Sequence, residues 1–282
     1  VTAVVGSLAV AGAAGAGSSK TLLTTDPPPP ACTIRVRPWG GEIESGLQST
    51  HGSVAFVFAV ECQPIFSEEY VDIFTPQLNN ACHGTLLWYS STANAGSPGT
   101  GSGESFDVFL DNDGNALAVV FGGPSCAASS YRVNADLTSP PYSTATGKVI
   151  VEPPTASTTG LIVHPSSPIE DSITSSVATI FYAEFPSPYA EKVVEFSDSQ
   201  LYFQCQGNLT WIGADDKVLG TDVQAVTTTL DNDGNAFVVA IAGPSCASGG
   251  STAEVDLVGP PYTTLTHSFV IRAPEANFFI KP

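Results

Sequence analysis

Leu110-Asp-Asn-Asp-Gly-Asn-Ala116 occurs a second time as Leu230-Asp-Asn-Asp-Gly-Asn-Ala236, an offset of 120 residues. Outward from it, Gly-Pro-Ser-Cys-Ala recurs at the same offset (123–127 and 243–247), and so does Pro-Pro-Tyr (140–142 and 260–262). Upstream the offset becomes 123: Cys82 and Trp88 answer to Cys205 and Trp211, and Phe66-Ser-Glu68 answers to Tyr189-Ala-Glu191. Residues 34–38 with Ile43-Glu44 resemble 161–165 with Ile169-Glu170. A period of this length, shifted once by a short insertion or deletion, makes the chain two copies of one folding unit. The division that follows is an apolar tail and polyproline spacer over 1–31, a first unit over 32–153, a Pro/Ser/Thr linker over 154–160, a second unit over 161–274 and an apolar tip over 275–282.

Within a unit the apolar residues recur with the period of strands. Tyr131, Val133, Ala135 and Leu137 alternate with Arg132, Asn134 and Asp136; the other copy alternates Ala253, Val255 and Leu257 with Glu254 and Asp256. That is the pattern of a half-buried strand. Residues 54–60, 116–121 and 237–241 are short, wholly apolar runs, as expected of strands in the middle of a sandwich. No helical stripe stands out between Cys32 and Pro274. Strands about every ten residues with Gly/Pro/Asn turns predict an all-β chain of two tandem immunoglobulin-like Greek-key sandwiches behind the apolar tail.

The succession Leu-Asp-Asn-Asp-Gly-Asn-Ala, Gly-Pro-Ser-Cys-Ala, Ala-Asp-Leu or Val-Asp-Leu, then Pro-Pro-Tyr-x-Thr, closed by 149–154 or 269–274, resembles the Ig-like repeats of large secreted actinobacterial proteins. The resemblance covers most of both units. It implies fold and export and supplies no activity. The antibody pattern is not matched, because Trp follows the first cysteine by six residues and the paired cysteines are 44 and 41 residues apart.

Six cysteines without a CxxC pair or a metal-spaced Cys/His cluster read as disulfides formed in an oxidising compartment. Their duplicated positions pair Cys82 with Cys126 and Cys205 with Cys246. Cys32 and Cys62 lack counterparts and are expected to form a third bond; the rival is a bond from Cys32 to another chain. The chain has no methionine, which fits a processed, exported form. Secreted or cell-surface placement is the expectation.

A formal charge of −18, from 27 acids against 9 bases, excludes the basic surface that holds a phosphate backbone, so nucleic acid is not an expected partner. Asp111-Asn-Asp-Gly-Asn115 and Asp231-Asn-Asp-Gly-Asn235 offer hard oxygen ligands, but glycine is fourth rather than sixth and no glutamate closes the loop. A strand-connecting turn is the reading taken, with no metal or other cofactor. His51, His83, His164 and His267 form no repeated constellation, and Ser125 and Ser245 precede cysteines rather than occupying a Gly-x-Ser-x-Gly elbow. No catalytic residue is assigned, and the chain is expected not to be an enzyme. Asn208-Leu-Thr210 is a formal glycosylation sequon.

Residues 1–19 carry no charge, and Val1, Val4, Val5, Leu8 and Val10 make them apolar; Phe278, Phe279 and Ile280 do the same for the far end. An apolar tail that is ordered must pack on something. Four prolines, 27–30, act as a spacer that extends about 3.1 Å per residue. Insertion of the tail into another copy, as strand or helix, would make a homopolymer by head-to-tail contacts. The function expected is therefore a structural subunit of an extracellular filament, pilus or surface fibre. The alternative is an adhesin or carbohydrate-binding module, for which Trp39, Tyr89 and Tyr142 are the aromatic candidates, its surface ligand unspecified.

Overall fold

The computed structural model describes residues 31–37, 42–44, 54–94, 97–123, 126–152, 159–164, 169–170, 177–214, 217–232, 234–243 and 246–272. The first unit contains β1 (Cys32–Arg37), β2 (Glu42–Glu44), β3 (Val54–Cys62), β4 (Tyr70–Phe74), helix α1 (Pro76–Ala81), β5 (Leu87–Asn94), β6 (Ser97–Ser102), β7 (Ser105–Phe109), β8 (Asn115–Gly122), β9 (Ser129–Leu137) and β10 (Thr144–Glu152). They form two sheets in the orders β1-β3-β8-β5-β6 and β2-β10-β9-β4-β7. The second unit repeats this with β11 (Gly160–His164), β12 (Ile169–Glu170), β13 (Val177–Glu184), β14 (Val193–Ser197), helix α2 (Ser199–Gln204), β15 (Leu209–Gly213), β16 (Val218–Thr221), β17 (Ala225–Thr229), β18 (Asn235–Ala242), β19 (Gly249–Leu257) and β20 (Thr264–Arg272). Its sheets are β11-β13-β18-β15-β16 and β12-β20-β19-β14-β17. Pairing is antiparallel except where β2 joins β10 and β12 joins β20 in parallel.

The chain is thus all-β, in tandem sandwiches with Greek-key crossovers. The start of each unit is divided between sheets: β1 lies on β3, and β2 crosses to β10. Inside the first unit Trp88 packs on Phe58 and Phe106, with ring centroids 5.7 and 5.8 Å away, and its Nε1 donates to the Gly103 carbonyl at 2.8 Å. Trp211 does the same in the second, 5.3 Å from Phe181 and donating to the Val223 carbonyl at 3.0 Å. Burying a tryptophan with its N–H bonded gains apolar burial without orphaning a donor.

Two six-residue helices interrupt the β pattern. At under two turns they are too short to show a helical stripe in sequence. Pro76 opens α1, where its missing N–H costs nothing, and the Asp198 side chain caps α2 by accepting from the Leu201 N–H at 2.8 Å.

The wholly apolar strands have a cause beyond their own sandwich. In β3 the residues Val54, Phe56, Phe58 and Val60 face inward, and their neighbours Ala55, Val57 and Ala59 face outward, yet both sets are buried. In β8 the outward residues Leu117, Val119 and Phe121 are buried as well. What covers them is the equivalent outward face of the second unit: Ala178 and Ile180 of β13, Ile212 of β15, and Phe237, Val239 and Ile241 of β18 share one apolar cluster with the first unit's core. Phe121 stacks on Phe237 at 5.9 Å between centroids. The two sandwiches therefore meet sheet to sheet, and four sheets form one layered body. A fully buried Val, Leu, Ile or Phe contributes about 1.5–3 kcal/mol, so this face holds the units together far more firmly than a linker does.

Candidate functional site

The three disulfides join Cys32 to Cys62, Cys82 to Cys126 and Cys205 to Cys246, and no described cysteine is free. Cys32 and Cys62 are directly opposed partners in the β1–β3 register, so the first bond is a rung between neighbouring strands within the chain. The other two tie the C-terminal end of α1 or α2 to the segment entering β9 or β19. This differs from the inter-sheet bond of antibody domains. Each closes a loop of 30 to 44 residues, worth about 3–4 kcal/mol in unfolded-chain entropy. In the second unit Phe185 stands at the place of Cys62, fully buried and edge-on to Tyr189 at 6.3 Å, so aromatic packing replaces the bond there.

The Asp-Asn-Asp-Gly-Asn segments are turns closed by their own hydrogen bonds. Asp111 N–H donates to the Asn115 carbonyl at 2.8 Å and Gly114 N–H to the Asp111 carbonyl at 2.9 Å. The Asp111 Oδ1 accepts from the N–H groups of Asp113 and Asn115, both at 2.9 Å. Asp231 accepts from Asn235 N–H at 2.8 Å in the same way. Burial raises the Asp111 carboxyl above its ordinary value, against the pull of these donors. Gly114 and Gly234 have φ of 86° and 90°, and a Cβ would lie 2.7 Å from the Cys62 carbonyl oxygen in one and 2.3 Å from that of Phe185 in the other. Glycine is required on both counts.

The two units stabilise the base of the short helix differently. In the first, the Thr75 hydroxyl donates to the Arg132 carbonyl at 3.2 Å and the Tyr131 hydroxyl donates to the Ala127 carbonyl. In the second, Asp198 and Ser251 replace Thr75 and Tyr131, and Ser251 Oγ donates to Asp198 Oδ1 at 2.7 Å. Asp198 is 1% exposed, and its Oδ2 is buried without a partner. Burial first, with a small push from Glu254, raises its pKa to about 6, although the donors from Leu201, Ser251 and Gln200 favour the charged form.

Across the outer face of the β4 sheet, Asp107, Asp72 and Asp136 are successive register partners. Asp72 is raised by burial and by these two neighbouring carboxylates. Among the described residues no group of three or more His, Cys, Asp or Glu is arranged to hold a metal ion, and no helix is long and apolar enough to cross a membrane.

Of the aromatic candidates, Tyr142 is 68% exposed, whereas Tyr89 is 4% exposed and faces the second unit, which removes it as a ligand-binding ring. Its position opposite Trp88 in the alternation was visible in sequence; what covers that side was not. Asn208 is exposed. His83 is exposed, and His267 on β20 is half-buried, far along the chain from it. Trp39, His51, Ser125, Ser245, the tail residues Val1, Val4, Val5, Leu8 and Val10, and the tip residues Phe278, Phe279 and Ile280 lie outside the described residues. So do residues 154–158 of the linker, while its last residue, Gly160, opens β11.

These features define a disulfide-bonded, all-β double sandwich. No family model matches the chain, and no curated protein matches it. Among solved structures, an adhesin by which an Antarctic bacterium reaches out and binds ice aligns at 15% identity and a TM-score of 0.25, over 86% of this chain and 49% of that one. A tandem-repeat extending region of a large adhesion protein aligns at 14% and 0.22, over 86% and 48%. A bacterial hydrophobin aligns at 15% and 0.25, over 43% and 98%. The chain spans about half the length of the two adhesion proteins. At these TM-scores the alignments carry no functional argument.

Proposed function

We propose that the chain is a non-catalytic structural subunit of an extracellular filament, pilus or surface fibre, kin to secreted Ig-like repeat proteins. The observation that supports this best is the sheet-to-sheet clasp, in which Val57, Val119, Phe121, Phe237 and Val239 are buried between units. A body of four stacked sheets transmits load as one piece, whereas two beads on a linker would bend. Three disulfides fit work in an oxidising medium where reduction does not threaten them. Two of the buried carboxylates are used structurally: Asp198 caps a helix and Asp231 closes a turn.

The joint between subunits is assigned to the apolar tail. Inserted against an edge strand of a neighbouring copy, it would make a heterologous contact that need not close and so propagates. Among the described residues the edge strands are β1, β6, β2 and β7 in the first unit and β11, β16, β12 and β17 in the second, each with one neighbour in its sheet. Deleting residues 1–20 should leave a folded monomer with the melting temperature of the parent, while the full chain forms fibres by electron microscopy. Fibres from the truncated chain would remove the tail as the joint.

A further inference from the structure

Bases are scarce in this chain, 9 against 27 acids, yet two of them stand side by side. Arg132 of β9 and Lys148 of β10 are directly opposed register partners on the outer face of the β4 sheet, and both are exposed. Like charges directly opposite each other destabilise a sheet. Asn134, Thr146, Ser130 and Ile150 flank them on the same face, and among the described residues neither cation makes an ion pair. The fold does not need them there. In the second unit the same two places hold Thr252 and Ser268, whose hydroxyls are hydrogen-bonded at 3.2 Å.

Crowding of the opposite sign stands further along the same face. Asp136 lies four residues beyond Arg132 on β9, about 13 Å away, and its row continues across the strands to Asp72 and Asp107. Burial and these two neighbours push the Asp72 carboxyl above its ordinary value. One row of the face is thus cationic and another anionic, with the uncharged row of Thr146, Asn134, Phe74 and Ser105 between them. Glu42 and Glu44 of β2, opposite Ile150 and Glu152, lie beyond the cationic row on the side away from the aspartates.

We propose that this face is a dimer interface, on which a second copy of the chain sits with its own face turned over, so that Arg132 and Lys148 of each copy meet Asp72, Asp107 and Asp136 of the other. A two-fold axis lying in the plane of the face, across the strands near Asn134, exchanges the two rows, so the contact is isologous and closes at two chains. Charge complementarity selects the occupant. The second unit has the acidic row without the cationic one, reading Thr264, Asp256, Glu195 and Thr227 beside the Thr252–Ser268 pair, and does not complement itself in this way. With each residue covering about 3.3 by 4.8 Å, strands of 3, 9, 9, 5 and 5 residues present about 500 Å². Two such faces together cover on the order of 1,000 Å², the lower size of a specific interface, which makes the dimer weak and salt-sensitive. The contact is separate from the tail.

The test is sedimentation velocity of the full chain over a concentration series at low and high salt. The parent should pass from monomer to dimer, and more weakly at high salt. Arg132→Thr/Lys148→Ser borrows the second unit's residues, so it keeps the fold. Each exposed ion pair is worth about 1.4- to 5-fold and the two lost cations count twice across the axis, so this variant should dimerise at least about 4-fold more weakly. Arg132→Glu/Lys148→Glu and Asp107→Lys/Asp136→Lys should each stay monomeric alone and dimerise when mixed, because the acids of one then face the bases of the other. Any tail contact is common to all these chains and cancels in the comparison. A parent without dimer, a Thr/Ser variant that associates as the parent does, or a mixture that gains nothing over its components would each overturn the proposal.

Discussion

Asp198 gives the second unit a stability that falls as pH rises. Its carboxyl is 1% exposed, one oxygen takes the Leu201 N–H and the Ser251 hydroxyl, and the other is buried unpaired. The folded-state pKa of about 6 lies above the ordinary 3.8, so the native state holds the proton more tightly than the unfolded chain does. The stabilisation from this group is therefore fullest below pH 3.8 and is lost as pH rises through about 6. Between pH 4.5 and 7.5 the linkage is worth about 2 kcal/mol, or roughly 4 °C in melting temperature for a body of this size. Asp111 and Asp72 shift in the same direction, so the isolating comparison is with Asp198→Asn, which keeps an acceptor for Leu201 and Ser251 and does not titrate. Urea unfolding across this range should show the parent losing about 2 kcal/mol relative to the variant. A difference that stays constant with pH, or that grows in favour of the parent as pH rises, would refute the reasoning.

Gly234→Ala should cost about 2–4 kcal/mol, and Gly114→Ala somewhat less, because a Cβ meets the Phe185 oxygen at 2.3 Å and the Cys62 oxygen at 2.7 Å. Gly103→Ala, at φ 105° with nothing within 4 Å, should show only the conformational cost of about 1 kcal/mol; denaturant midpoints rank the three. Chelator should leave the melting temperature within about 1 °C, since Asp111 and Asp231 are already satisfied by backbone N–H groups; a fall of several degrees would indicate a bound cation.

The strand content was legible where one face meets water. The alternation at Tyr131 to Leu137 and at Ala253 to Leu257 reports β9 and β19 directly, and the repeated cysteines mark the places where the bonds form. The clasp was not legible, because a wholly apolar β8 has the same composition whether its outer face meets another sheet or another molecule. Only tertiary structure shows that Val119 faces the other unit. Asp198 reads in sequence as one polar residue in Ser-Asp-Ser; its available signal was a capping residue ahead of Leu201, and its burial depends on Ser251, 53 residues away. Tyr142 was singled out as one of three aromatics, but the match with Tyr262 in exposure and backbone angle needed the structure.

A rigid two-unit body is the premise of the fibre reading. The measurement that tests it most directly is the rotational correlation time of each unit from backbone ¹⁵N relaxation, in the parent and in Val119→Asp. Val119 is fully buried between the sheets, and an unpaired carboxylate there costs several kcal/mol unless the faces separate. The account predicts a single correlation time shared by both units in the parent and two shorter, unequal ones in the variant, with each sandwich still folded. Two independent correlation times in the parent would contradict it.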